Sequence, residues 1–259
     1  MLTVDADGTP IHVEIEGPED APALMFSNSL GTNLHMWDEQ AKAFAKNFRV
    51  VRYDQRGHGQ SGAPEGPYSM DRHGLDALAI MNQLGISKVH WCGLSMGGMT
   101  GMWLGRHAPE RIGKLVLSNT AAKSLTPEAW NTRIRTIHAK GLPAVADTVL
   151  GIWFTKEFRE RASDIVARLR EMMLSTNPQG YVGCASGIRD MDQRWGIGSI
   201  NLPTLIIAGR HDQGTTLKDA ELIASRIAGS QLEILDAAHI SNIELSIRFT
   251  ETVQKFLKG

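Results

Sequence analysis

An α/β fold, with a mostly parallel eight-stranded sheet flanked by helices and an inserted helical cap, is predicted by three features of this chain. Short apolar runs alternate with segments of helical periodicity over most of the length, which is the pattern of a parallel sheet covered on both faces. The alternation stops after "LVLSNTAA" and resumes at "LPTLIIAG", a gap of roughly eighty residues that far exceeds an ordinary crossover connection. Finally, "CGLSMGGMT" places Gly-x-Ser-x-Gly, Gly93 to Gly97, where a strand gives way to a helix.

Each element follows from its own pattern. "LTVDADGTPIHVEIEG" alternates apolar and polar residues about Asp7-Gly8 and reads as an opening antiparallel hairpin. "ALMFSNS" and "FRVVRYD" are short apolar strands ending in polar loops, and between them "MWDEQAKAFAKN" puts Trp37, Ala41 and Phe44 on one helical face. "DALAIMNQLG" is a helix closing at Gly85, followed by the strand "KVHWCG". After Ser95, Met99, Met102, Trp103 and Leu104 recur at helical spacing. "GKLVLSN", "LPTLIIAG" and "QLEILDA" complete the strand series. Inside the long gap, helical periodicity appears in "EAWNTRIRTIHAKG", "LPAVADTVLGIWF" and "SDIVARLREMMLST". This reading divides the chain into a core of residues 1–123 and 201–259 and a cap of 124–200. Helices inserted after a strand end lie over the carboxyl edge of the sheet, where ligands of open α/β folds bind.

Composition narrows the partners. The 27 basic and 28 acidic residues are mixed along the chain and leave a net charge of −1, so no field gathers nucleic acid or an anionic membrane. A small-molecule partner fits better. No run reaches the length of a membrane span, and the N-terminus lacks the basic and apolar sections of a secretory signal, which points to a cytoplasmic location. Cys92 and Cys184 are too few for a disulfide framework and read as free thiols with packing roles. Without Cys-x-x-Cys or His-Glu-x-x-His, a metal site has no support, and no cofactor is expected.

The chemistry centres on Ser95. A sharp strand-to-helix turn holds a nucleophile in strained backbone geometry, and Gly93 and Gly97 are small because side chains there would collide across it. A serine hydroxyl needs an imidazole to take its proton and a carboxylate to fix the imidazole's tautomer. Among nine histidines the candidate base is His239 in "LDAAHISNIE", which follows the last strand in a small-residue loop before the final helix. The candidate acid is Asp212, at the end of the strand in "LIIAGRHDQG". The preceding strand offers only Asn119 in that position, and Asp236 stands as the alternative acid. Backbone N–H donors for a tetrahedral oxyanion are expected from Met96, directly after the nucleophile, and from Leu30 in the "SNSLGTN" loop. "YDQRGHGQS" lacks the spacing of a phosphate-binding loop, and Arg56 and His58 there read as residues holding a turn behind the site.

With "YDQRGHGQS", "GLSMGG", "GRHD" and "AAHISNIE" in that order, the chain resembles the α/β-hydrolase superfamily over essentially its whole length. Within it, "SNSLGTNLHMWDEQ", "RYDQRGHGQSGAPEGPYSM", "CGLSMGGMTG", "NTAAK", "WFT" and "HISNIE" are similar to the 3-oxoadipate enol-lactonase family. Asn28-Ser29, where most relatives carry His-Gly, is a feature of that group. After Asp212 the sequence departs from the family's short Thr-Pro segment, with Thr216 in place of the proline. The resemblance implies hydrolysis of a small enol-lactone with an acetate arm to 3-oxoadipate, in aromatic compound degradation through the β-ketoadipate route.

An anionic lactone needs a cationic partner, and the cap offers Arg133 and Arg135 in its first helix and Arg189 in "GIRDMD". Arg133 and Arg189 are the candidate substrate ligands, with Trp153 of "GIWFT" as a candidate pocket wall. Two other functions use the same residues: a broad carboxylesterase or perhydrolase, since one nucleophile serves several acyl transfers, and a non-catalytic small-molecule sensor. Dehalogenase and epoxide-hydrolase chemistry needs a carboxylate at the elbow, where this chain has Ser95.

Overall fold

The computed structural model describes residues 2–124 and 126–258. Its single sheet has eight strands: β1 (Leu2–Ala6), β2 (Thr9–Glu16), β3 (Ala23–Ser27), β4 (Arg49–Tyr53), β5 (Val89–Leu94), β6 (Ile112–Ser118), β7 (Thr204–Gly209) and β8 (Gln231–Leu235). Their order across the sheet is β1-β2-β4-β3-β5-β6-β7-β8. Only β1–β2 and β2–β4 pair antiparallel. The hairpin turns through Asp7 (φ 56°) and Gly8 (φ 76°), the left-handed pair that matches the twist of a two-residue connection. β3 and β7 are buried along their whole length, as strands covered on both faces must be.

Among the described residues, six α-helices lie outside the β6–β7 segment: α1 (Asp38–Phe44), α2 (Met70–Gln83), α3 (Met96–His107), α9 (Leu217–Arg226), α10 (Ser241–Glu244) and α11 (Ser246–Lys258). Trp37, in the turn that leads into α1, and Ala41 and Phe44 within it are all buried, and Trp37 stacks on Phe26 of β3 at 4.8 Å between ring centroids. α2 begins at Met70, six residues before the periodic run "DALAIMNQLG", with Ser69 accepting the Arg72 N–H as its cap. Gly74 conceals that first turn in the sequence; it is glycine because a Cβ would sit 1.9 Å from the Trp103 ring. Thr216, in place of the family's proline, caps α9 in a reciprocal arrangement with Asp219.

Between β6 and β7, among the described residues, lie five α-helices: α4 (Pro127–Lys140), α5 (Pro143–Trp153), α6 (Lys156–Arg161), α7 (Ser163–Leu174) and α8 (Pro178–Asp190). Three match the sequence reading. The short α6 was not expected, and neither was α8, whose "PQGYVGCASGIRD" is too rich in glycine to score as a helix. Those glycines form a seam. Added Cβ atoms at Gly180, Gly183 and Gly187 would lie 2.2 Å from the Gly57 carbonyl, 2.7 Å from the Tyr68 ring and 2.6 Å from the Tyr68 carbonyl. α8 therefore lies closely against the 57–68 segment, backbone on backbone at Gly57 and Gly66. Cys92 and Cys184 are free and buried, and burial raises both thiol pKa values. Among the described residues no helix is long and apolar enough to cross a membrane.

Candidate active site

Ser95 stands between β5 and α3 with φ 57° and ψ −114°, a left-handed conformation that a non-glycine residue adopts only when its surroundings impose it. They do so through four contacts. The Ser95 N–H donates to the Ser118 carbonyl at 2.9 Å, and the Ser95 carbonyl accepts from Thr120 Oγ1 at 2.7 Å. The Gly97 N–H donates to the Asn28 carbonyl at 3.0 Å, and the Gly97 carbonyl accepts from Trp91 Nε1 at 3.0 Å. A Cβ on Gly93 would sit 2.1 Å from the Gly97 carbonyl oxygen, and one on Gly97 would sit 2.2 Å from that of Ser27. Gly93→Ala is accordingly expected to destabilise the fold by about 3 kcal/mol, the upper range for overpacking. In thermal unfolding that corresponds to a drop of roughly 6 to 12 °C. An unchanged midpoint would mean that the elbow opens freely.

His239 lies in the loop after β8 and Asp212 in the loop after β7, and the fold brings them together. Their Nδ1 and Oδ2 are 2.7 Å apart, with both side chains buried. Asp212 Oδ1 accepts the N–H groups of Gly214 (2.8 Å) and Thr215 (3.0 Å), while Oδ2 also accepts from Thr215 Oγ1 (2.8 Å) and Asn119 Nδ2 (3.1 Å). Burial alone would raise this carboxyl's pKa, but the neighbouring His239 and the Thr215 bonds outweigh it and hold it below its ordinary value. An ionised acceptor here places the His239 proton on Nδ1 and leaves Nε2 free to act as a base. Asn119, with φ 44°, is held by Ser118 and Ser241 hydroxyls on its oxygen. Asp236 lies away from this group, exposed and bonded to His211 at 2.9 Å.

The His239 loop is tied to the helices above it. The Ile240 N–H donates to the Trp153 carbonyl at 2.9 Å. Glu244, buried in α10, accepts from the Ala238 N–H at 2.8 Å and from the N–H and hydroxyl of Thr155.

Ser95 and His239 open on one cavity with Leu30, Met99, Trp130, Arg133, Trp153 and Tyr181. Loop 28–34 forms part of its floor, and the loop's amides are engaged one after another. Ser29 N–H donates to Met36 Sδ, Gly31 to His58 Nε2, Thr32 to the Ser29 carbonyl, Asn33 to Met172 Sδ and Leu34 to Asp54 Oδ1. Among the described residues, Leu30 N–H has no protein acceptor. The same holds for Met96 N–H, at the first position of α3. Asn28, where most relatives carry histidine, donates to the Tyr53 carbonyl at 2.8 Å and accepts from Gln55 at 2.5 Å, so its side chain and carbonyl face the neighbouring loop.

The arginines divide. Arg133 lines the cavity with its guanidinium 4.8 Å over the Trp130 ring, and no carboxylate pairs with it among the described residues. Arg189 lies apart from this cavity, and its guanidinium is taken by Asp190 on two atoms and by Asn131 at 3.0 Å. Arg135 is exposed and donates to Thr132. Trp153 is buried and walls the cavity. The sequence reading missed Tyr181, Trp130 and Thr215. Tyr181 belongs to the glycine-rich α8, and Thr215 carries no signal beyond its distance of three residues from Asp212.

The family model of the alpha/beta hydrolase fold matches residues 22–244. The 3-oxoadipate enol-lactonase 2 of Acinetobacter baylyi is 40% identical over 256 residues, covering 99% of this chain and 96% of that protein. The enol-lactonase structure from Burkholderia xenovorans LB400 superposes with a TM-score of 0.98 at 41% identity, covering 100% of both chains. An esterase from Exiguobacterium antarcticum superposes with a TM-score of 0.92 at 26% identity, covering 99% of each. With this fold, this sheet order and these relatives, the chain belongs to the alpha/beta hydrolase family and is a hydrolase.

Proposed function

We propose that this hydrolase opens 3-oxoadipate enol-lactone to 3-oxoadipate through an acyl-enzyme on Ser95. The observation that carries the substrate reading is Arg133, a guanidinium without a carboxylate partner among the described residues, in the same cavity as Ser95. A substrate carboxylate is the partner it lacks. The enol-lactonases of similar sequence support the same reading.

In this mechanism Ser95 Oγ attacks the lactone carbonyl carbon as its proton passes to His239 Nε2, and Asp212 stabilises the imidazolium that forms. The Leu30 and Met96 N–H groups receive the oxyanion. Collapse breaks the ring C–O bond, and the leaving oxygen takes the proton from His239. That oxygen departs as an enol, which is a good leaving group and becomes the 3-keto group on tautomerisation. The leaving group stays attached to the acyl chain, so room must remain for it while water enters. His239 then deprotonates that water, which attacks the ester carbon and releases Ser95 and the second carboxylate. Helices α4–α8, residues 124–200 in the sequence reading, act as the cap that covers this chemistry.

The test compares the enol-lactone with a neutral aryl acetate. Arg133→Ala is expected to lower kcat/KM for the lactone by about 10- to 100-fold, the loss of one charge-assisted contact, while leaving the aryl ester within about 2-fold. An equal loss on both substrates would mean that Arg133 supports the fold through Trp130 instead. Efficient aryl ester turnover with no lactone turnover in the unaltered enzyme would make it a carboxylesterase.

A further inference from the structure

His58 is the acceptor next to the unengaged Leu30 amide. It sits in the 53–61 loop, completely buried, with Nε2 2.9 Å from the Gly31 nitrogen and Nδ1 3.2 Å from the Arg56 carbonyl. Accepting from Gly31 at Nε2 requires the tautomer with the proton on Nδ1, which then donates to that carbonyl. Burial lowers the ring's pKa to about 4, so the lone pair on Nε2 is present at neutral pH. The ring itself is anchored. Arg56 holds Asp76 through two bonds of 2.8 and 2.6 Å and reaches the Ala6 carbonyl and the Thr9 hydroxyl, which fixes the backbone on the N-terminal side of His58.

Gly31 has φ +80°, so no Cβ limits rotation of the Leu30–Gly31 peptide plane. Its Cα face is covered by Tyr181, Met173 and Trp153, the nearest atoms being 3.1, 3.5 and 3.6 Å from where a Cβ would be. Among the described residues the Gly31 N–H has one acceptor, which is His58. Losing it would leave a buried donor unpaired, and the peptide would turn to find another partner. The adjoining Ser29–Leu30 peptide, which carries the Leu30 N–H, would move with it.

We infer that His58 is a positioning residue for hydrolysis, the neutral acceptor that fixes the Leu30–Gly31 peptide and so aims the Leu30 N–H at the developing oxyanion. The inference rests on the reading of Leu30 as an oxyanion donor. A displacement of about 1 Å at such a donor costs on the order of 100-fold in rate.

The test uses His58→Leu, which removes the acceptor, His58→Asn, which is polar but too short to reach Gly31, and His58→Gln, whose amide oxygen can occupy the place of Nε2. Active sites are counted by fluorophosphonate titration, so that misfolded protein does not enter the rate. Per active site, Leu and Asn are expected to lower kcat about 100-fold with KM within about 3-fold, and Gln is expected to recover all but about 5-fold. Affinity for a boronic acid, which forms a tetrahedral adduct on serine, should fall in proportion to kcat. If Leu fails to fold, Asn and Gln carry the comparison. Equal kcat per site in all variants overturns the inference, and so does a loss in folded Gln as large as that in Asn. An unaltered protein that neither turns over an ester nor reacts with the phosphonate overturns the serine-hydrolase reading instead.

Discussion

Ser95→Ala is expected to lower kcat on the enol-lactone by about 10⁵- to 10⁶-fold, with His239→Ala close behind and the double variant no worse than the more impaired single. The corresponding loss is about 7 to 8 kcal/mol of transition-state stabilisation. The sign and the non-additivity both come from the proposed step: one proton moves from Ser95 to His239 as one bond forms, so removing either group removes the whole step. Single-turnover kinetics with the three proteins checks this. Losses that multiply in the double variant would mean that the two residues act in separate events.

The next largest effect is expected at Asp212→Asn, a fall of roughly 10⁴-fold in kcat with the fold retained. The local bonds dictate why. Gly214 and Thr215 N–H groups both point at Oδ1, so the oxygen of an asparagine is drawn to that position. Its NH₂ then takes the place of Oδ2, facing the Asn119 amide donor and His239 Nδ1. A donor there forces the His239 proton onto Nε2, and the base is lost. The same carboxylate carries a pH signature in stability. Its folded pKa lies below the ordinary 3.8, so its contribution is complete above that value and is lost as the pH falls through the folded pKa. Acid titration of unfolding free energy should therefore show a shallower acid limb in the asparagine variant. Near-normal activity in that variant would reassign the acid.

Legibility in the sequence tracked how local the cause was. The hairpin at Asp7-Gly8, the apolar strands and the α1 face of Trp37, Ala41 and Phe44 are set by neighbours in the chain, and each stands where its pattern puts it. Ser95, Asp212 and His239 each follow a strand end, and strand ends in a parallel sheet converge on one edge, so their proximity, as distinct from the roles proposed for them, was legible. Arg189 is held by Asp190 and Asn131, a pairing that depends on which way α8 faces, and α8 itself was hidden by its glycines. Tyr181 was missed for the same reason. Helix propensity counts Gly180, Gly183 and Gly187 as losses, while the fold uses them for contacts with residues more than a hundred positions away.

The glycine seam of α8 bears on how the substrate range of this enzyme can be changed. An exchange of α4–α8 for the corresponding helices of another hydrolase would need a helix as bare as this one along its inner edge. Any side chain at position 180 would strike the Gly57 backbone beside His58. The segment is thus keyed to its own floor, and a transplant would have to bring residues 53–68 along. Individual wall residues are freer. Val149 and Ile152 line the cavity from α5, outside the seam; of the two Val149 is the freer position, since Ile152 lies against Gly214 of the Asp212 loop. Redesign of specificity in this enzyme accordingly favours point changes on α5 over the shuffling of whole helices.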